Sequence, residues 1–296
     1  MTASTETTGS NLLAVQSLRK EFRRRSNVMG IVRRARPEAV VAVSDVSLTL
    51  REGETLGVVG ESGSGKSTLG RMILGLIEPT SGSITFAGRD ITHRTPKRRR
   101  ELTRDLQVVF QDPYGSLNPR HRVEDIIREP LDIHQIGTPK ERRDRVYQLM
   151  DRVALAERFR HSFPHELSGG LRQRVGIATA LAVNPRVIIA DEPVSALDVS
   201  VQAQIMDLLT DLQRETSVGM IFISHDLSVI REISNRVAVM RRGEIVESGD
   251  VEEIYRAPQH PYTEALLSAI LPVDPAVPFN PILLDDDLVT PAMRHD

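Results

Sequence analysis

Apolar residues along this chain fall into two rhythms. Short, nearly continuous runs rich in valine and isoleucine predict buried strands, and apolar positions recurring every three or four residues predict helices packed on one face. Residues 12–22, with Leu13 and Val15 in alternation, read as a strand. Residues 40–43 and 46–50 read as a strand pair or one bent strand, and 51–54 as a turn. The segment 54–59 predicts a buried strand, 68–74 a helix, 78–82 a turn and 83–86 a short strand ended by Ala87-Gly88. Residues 94–104 predict an exposed helix with a solvated basic face, and 106–110 a further strand.

From 112 to 118 the composition is loop-like. Helical spacing returns at 123–130, 140–153 and 170–183, and no strand pattern falls between about 117 and 183. This is an all-helical insertion in a chain that otherwise alternates β and α. Residues 187–191 restore a buried strand. Val201, Ile205, Leu208, Leu209 and Leu212 then recur at helical spacing behind Asp198 or Ser200, either of which can cap the helix. A strand at 218–224, a helix at 226–233 and a hairpin of 237–240 with 244–247 about Arg242-Gly243 follow. Residues 258–262 break the pattern before a short helix at 263–270. The polar stretch 1–10 and the tail 272–296, with five prolines and Asp285-Asp286-Asp287, predict disordered ends. The alternation predicts a parallel sheet wrapped by helices, with its ligand at the carboxyl ends of the strands. Gly60, Gln111, Asp191 and His225 all fall there.

Composition narrows the function classes. A net charge of -2 supplies no global field toward nucleic acid or anionic lipid. The absence of cysteine excludes disulfides, thiol catalysis, thiolate zinc and cysteine-held iron–sulfur clusters. No apolar run approaches the ~18 residues that a spanning helix needs, and no leader-like apolar core opens the chain. A cytoplasmic protein is expected, with any membrane role exercised through a partner. The basic run 19–36 reads as a solvated loop, with a membrane-surface or partner contact as the main alternative, and without interleaved aromatics for base stacking no nucleic-acid partner is expected.

The chemistry centres on Gly60-Glu61-Ser62-Gly63-Ser64-Gly65-Lys66-Ser67-Thr68, which fits G-x-x-x-x-G-K-[ST] between a predicted strand and a predicted helix. Glycines let backbone N–H groups wrap phosphate oxygens, and the helix N-terminus adds partial positive charge. Lys66 is placed for the β- and γ-phosphates and the Ser67 hydroxyl for Mg²⁺. Asp191-Glu192 closes a strand, where a carboxylate holds Mg²⁺ and its neighbour orients or deprotonates water. Gln111 can offer an amide oxygen to metal or water, and His225 a contact to the γ-phosphate. Phe22 is one of few aromatics able to stack on adenine. Leu167-Ser168-Gly169-Gly170 opens a helix and makes a second anion nest. One chain cannot easily bring both nests to one nucleotide; two copies packed head-to-tail can.

Taken together, Gly60 to Thr68, Gln111, Leu167 to Gly170, Asp191-Glu192, Ser195-Ala196-Leu197-Asp198 and His225 resemble the ATP-binding subunit of an ABC transporter. The resemblance spans residues 12 to about 250 in the family's order. It implies an α/β fold: a P-loop NTPase core with a parallel sheet, an antiparallel β subdomain and an all-helical subdomain at about 117–183. It implies ATP and Mg²⁺, with Ser67, Gln111 and Asp191 at the metal, Glu192 as general base, His225 as the γ-phosphate switch and Phe22 on adenine. Ser168, Gly169 and Gly170 would grip the ATP of a second ATPase subunit, with Asp198 at the seam. Gln111-Asp112-Pro113 onward, and His260-Pro261-Tyr262-Thr263 in a C-terminal extension at 251–296, are similar to the oligopeptide/dipeptide importer branch, specifically its second ATPase subunit. That implies integral membrane permeases as partners, an extracytoplasmic solute-binding protein indirectly, and a place on the cytoplasmic face of the membrane. The signature loop here continues with Leu171, where the family usually has Gln. Two other readings stay open: a soluble ABC-type ATPase acting on nucleic acid, and an accessory of a phosphonate-processing complex.

Overall fold

The computed structural model describes residues 11–23, 39–269 and 282. The expectations for 1–10, for the basic run beyond Arg23 and for nearly all of the tail 272–296 lie outside these residues. Strand β1 (Leu13–Arg23) pairs antiparallel with β2 (Ala39–Leu50), so 40–43 and 46–50 belong to one strand. Ser17 and Asp45 take positive φ at register shifts in this pair. Such bulges bend the ladder and change which residues face inward. Strand β3 (Thr55–Val59) is buried at every position and feeds the loop before α1 (Lys66–Ile73). Strand β4 (Ser81–Phe86) joins β1 and pairs with β5 (Arg89–Asp90), a two-residue strand without a periodic signal.

Helix α2 (Pro96–Asp105), capped by Thr95, buries none of its residues. Arg94, expected on its solvated face, instead turns inward and is 8% exposed. Its Nη2 donates to the carbonyl of Ile73 at 2.5 Å and its Nε to that of Ile91 at 2.8 Å, satisfying oxygens that burial would strand. Strand β6 (Leu106–Val109) follows, then one turn of helix, α3 (Pro113–Ser116), where a loop was expected. Asp112 nucleates that turn by accepting from the Tyr114 N–H. Helix α4 (Val123–Ile133) runs three residues past Pro130, its last turn anchored by buried Leu131. A capping box of Thr138 and Glu141 opens α5 (Pro139–Arg152), and two single 3-10 turns lead to α6 (Gly169–Leu181).

The chain then returns to the sheet with β7 (Val187–Asp191), α7 (Val199–Thr216), β8 (Gly219–Ser224), α8 (Leu227–Ile233), β9 (Arg236–Arg241) and β10 (Glu244–Asp250). Asp198, not Ser200, caps α7. Arg242 and Gly243 both have positive φ, as a two-residue hairpin turn requires. Helices α9 (Val251–Arg256) and α10 (Pro261–Ser268) close the described chain.

Two sheets result. One is antiparallel in the order β2-β1-β4-β5; the other runs β10-β9-β3-β8-β7-β6, parallel throughout except for β10. The larger sheet is apolar on both faces. Met220 and Phe222 of β8 pack in the core that holds α4, α5, α6 and α7, while Ile221 and Ile223 pack toward α1 and the antiparallel layer. The period-2 side-chain alternation splits one strand between two cores. All the parallel strands therefore end at one edge.

Candidate active site

At that edge the backbone geometry comes first. Gly60 (φ 154) lies so close to Met240 that an added Cβ would collide with its carbonyl oxygen, and Gly65 (φ 105) lies equally close to the Ala42 carbonyl. Only glycine satisfies both the dihedral and the close approach. The loop is braced from behind by the β9–β10 turn: Gly243 N–H donates to Ser64 O at 2.9 Å, and Gly243 O accepts from Ser44 N–H at 2.8 Å. Lys66 curls back inside, its Nζ donating to the carbonyls of Gly60 (2.6 Å) and Glu61 (2.8 Å). Burial lowers the ammonium pKa, against the opposing pull of Glu192, Asp191 and Glu61.

Asp191 ends β7 with Oδ1 accepting from the Ser67 hydroxyl at 2.8 Å. Burial raises its carboxyl pKa, while the Ser67 bond and Arg71 oppose the shift. Glu192 takes positive φ, and its N–H donates to Ile223 O at 3.0 Å. This fixes the residue between β7 and β8. Its Oε2 accepts from Gln111 Nε2 at 3.0 Å and lies 3.3 Å from His225 Nδ1. With the carboxylate as acceptor, Nδ1 carries the imidazole proton. One carboxylate oxygen is thus shared by side chains following β6 and β8. Lys66, Ser67, Gln111, Asp191, Glu192 and His225 form one constellation, with Ser62, Gly63, Ser64 and Thr68 in the loop and helix start beside it.

The remaining expected residues lie elsewhere. Ser168 caps α6, its Oγ accepting from Leu171 N–H at 3.4 Å. A Cβ on Gly170 would collide with Val201 Cγ1, and one on Gly169 would touch Leu197 at 3.4 Å. Asp198 caps α7 alongside, accepting from Ser200 Oγ (2.7 Å) and Val201 N–H (3.0 Å), contacts that lower its carboxyl pKa. No hydrogen bond among the described residues joins Ser168, Gly169 or Gly170 to residues 60–68. Leu171 packs against the apolar cluster of the helical side. Phe22 is 42% exposed and pairs with Val40, two positions from the Ala42 carbonyl that abuts Gly65. Lys20 Nζ stands 5.2 Å from its ring.

Three side chains make contacts that nothing in the sequence predicts. Gln173 Nε2 donates to Phe110 O at 3.4 Å, tying α6 to the segment that carries Gln111. The buried Arg172 guanidinium stacks 3.4 Å over the exposed Tyr114 ring and donates to Pro164 O at 2.5 Å. Tyr262 Oη accepts from Glu61 N–H at 3.2 Å. Apart from the local Arg172–Pro164 bond, each contact spans a long stretch of chain, and the one available signal was the His260-Pro261-Tyr262 motif itself.

Comparisons with known proteins give the family. The ABC transporter family matches residues 43–195, and the oligopeptide/dipeptide transporter C-terminal region matches 246–282. The oligopeptide transport ATP-binding protein AppF of Bacillus subtilis (strain 168) is 49% identical, over 91% of this chain and 80% of its own. The oligopeptide transport ATP-binding protein OppF of the same organism is 52% identical, over 80% of this chain and 78% of its own. A solved dimeric ATP-binding cassette in a post-hydrolysis state, bound to ADP and Pi, superposes with a TM-score of 0.71 at 30% identity, covering 81% of this chain and 98% of that one. The family match, these relatives and the solved cassette agree: the chain belongs to the ABC transporter family, as its nucleotide-binding ATPase subunit.

Proposed function

We propose that this chain is the ATP-hydrolysing motor of an importer for di- or oligopeptides or a related solute. The observation that carries the reading is the Glu192 carboxylate, held by Gln111 and His225 beside Lys66 and the Ser67–Asp191 pair. Lys66 and the N–H groups of residues 62–68 bind the phosphates, and Phe22 stacks on adenine. Glu192 accepts the proton of the attacking water, while Gln111 and His225 orient its carboxylate. The Ser67 hydroxyl, the Asp191 carboxylate and the Gln111 amide are all hard oxygen donors, too few for an all-protein cage and suited to Mg²⁺ shared with phosphates. When bound, that ion neutralises charge developing on the phosphoryl oxygens.

The peptide substrate rests on the match of 246–282 to the oligopeptide/dipeptide transporter region and on the named activity of the AppF and OppF relatives. Residues 11–250 would be the ATPase domain, with about 117–183 its helical part and 251–296 an importer-type extension. Ser168, Gly169 and Gly170 complete the nucleotide site of a second ATPase subunit, with Asp198 at the seam. No helix among the described residues is long and apolar enough to cross a membrane. As in the transport systems its relatives are named for, integral permeases would hold the chain at the cytoplasmic face. An extracytoplasmic solute-binding protein would act through them. Isolation of the tagged chain from detergent-solubilised membranes tests this. Permease subunits and a companion ATPase subunit are expected to co-purify. Recovery with soluble lyase components, or with nucleic acid in a steeply salt-dependent way, contradicts the reading.

A further inference from the structure

The His260-Pro261-Tyr262 segment lies outside the catalytic constellation, yet it reaches the nucleotide loop. The segment is anchored to the sheet: Glu247 of β10 accepts from the N–H groups of Gln259 (2.7 Å) and His260 (3.1 Å). His260 then caps α10, its Nδ1 accepting from Tyr262 N–H at 3.1 Å, and Pro261 occupies the first helical turn. The capped helix points the Tyr262 side chain inward, where it has no exposed surface and lies beneath the Arg241 guanidinium, 4.8 Å from the ring centroid. Residues 61–64 and Ala265, Leu266 and Ala269 face each other across a cavity of about 510 Å³, with Tyr262 bridging it at one end.

The bridge falls on a single peptide group. The carbonyl of Gly60 and the N–H of Glu61 belong to the same planar amide. Lys66 Nζ donates to that carbonyl at 2.6 Å, and the N–H donates to Tyr262 Oη at 3.2 Å. Gly60, at φ 154 and without a Cβ, imposes little restraint of its own on this plane. Two side chains, one from the loop's own helix and one from the C-terminal extension, thus fix its orientation, and with it the seat of the Lys66 ammonium and the start of the N–H row facing the phosphates. Burial raises the phenol pKa, so the hydroxyl stays neutral through the physiological range.

We propose that Tyr262 is a positioning residue of the nucleotide site, and that the C-terminal extension sets nucleotide affinity by pinning the Gly60–Glu61 peptide. The inference rests on the nucleotide-loop reading above. Preorganisation of this kind acts on binding rather than on the proton transfer at Glu192. The ligand-free loop should hold its shape through Tyr262, and both ATP and ADP should feel its loss.

The test is Tyr262→Phe in the full chain, with equilibrium titration of ATP and ADP and amide exchange at Glu61 in the ligand-free protein. Losing one hydrogen bond should weaken both nucleotides about fivefold, raise KM in parallel and leave kcat close to wild type. Exchange at the Glu61 amide should quicken by a similar factor. Thr263→Val is the packing control: its buried hydroxyl has no hydrogen-bond partner among the described residues, and it lies in the same helical turn. It should alter thermal stability without moving either Kd. A fluorinated tyrosine at 262, which keeps ring and hydroxyl but weakens the acceptor, covers the case in which Tyr262→Phe does not fold and should weaken binding in the same direction. Unchanged nucleotide affinity in Tyr262→Phe or in the fluorinated protein overturns the proposal, whatever happens to Tm. Failure of the wild-type chain to bind nucleotide would instead remove the nucleotide-loop reading, while Glu61 exchange would still report whether the contact forms.

Discussion

Asp191 shows what the site demands of a single residue. Its carboxyl is buried next to Lys66 and Ser67, and desolvation places its folded-state pKa above the ordinary aspartate value. The sign follows from proton linkage. Where the folded state holds the proton more tightly than the unfolded state, the favourable contribution is complete below the unfolded pKa and is lost as pH rises through the folded pKa. At neutral pH the charged Asp191 is therefore a net cost to the ligand-free fold. Asp191→Asn keeps an oxygen to accept from Ser67 and removes that charge. It should raise Tm of the metal-free protein at pH 7, with the gain shrinking toward pH 4, while Mg²⁺-dependent stabilisation by ATP is lost. Thermal scans across pH with and without MgATP check both effects. At this scale the sequence was informative because Lys66, Ser67, Gln111, Asp191, Glu192 and His225 each sit at a strand end or in a spaced motif. Arg172 and Gln173 were invisible because what matters about them is a contact across the fold rather than a local pattern, and Tyr262 was legible as part of a motif but not as a partner of Glu61.

Among the elements, the helices around the site are held by close packing and by caps. Helix α6 meets α7 at Gly170, where a Cβ would collide with the stiff, β-branched Val201. Gly170→Ala should cost about 1–3 kcal/mol in urea denaturation, and Val201→Ala in the same chain should recover about half of it. Additive effects of the two changes would show that the helices separate freely. Behind the loop, buried Arg94 donates to the last turn of α1, and burial pulls its pKa down to about 10, leaving it charged at neutral pH. Arg94→Met strands two carbonyls and should lower Tm by roughly 5–10 °C. Arg94→Lys should recover little, because an ammonium lacks the fork that reaches both oxygens. The strong periodicities of β3, β7, β8 and α7 made those elements legible in advance. Strand β5 is too short to show a period, α3 depends on one Asp112 cap, and α4 crosses Pro130 because Leu131 has a core to enter.

For the whole molecule, the parallel sheet gathers the ends of β3, β6, β7 and β8 at one edge, and the constellation proposed to be catalytic is a consequence of that topology. Ser168, which caps its own helix, makes no hydrogen bond to residues 60–68 among the described residues. On the proposed reading, such a chain supplies half of each of two shared sites. Ser168→Arg should leave nucleotide binding by residues 60–68 intact and abolish ATP-driven association with a second ATPase subunit, as read by light scattering. Unchanged association would count against a shared site. The most direct test of an ATP-hydrolysing centre built on Glu192 compares binding with turnover in Glu192→Gln. ATP affinity should stay within about twofold of wild type while phosphate release falls by at least about 100-fold. Turnover near the wild-type rate in a pure preparation of that variant would contradict it.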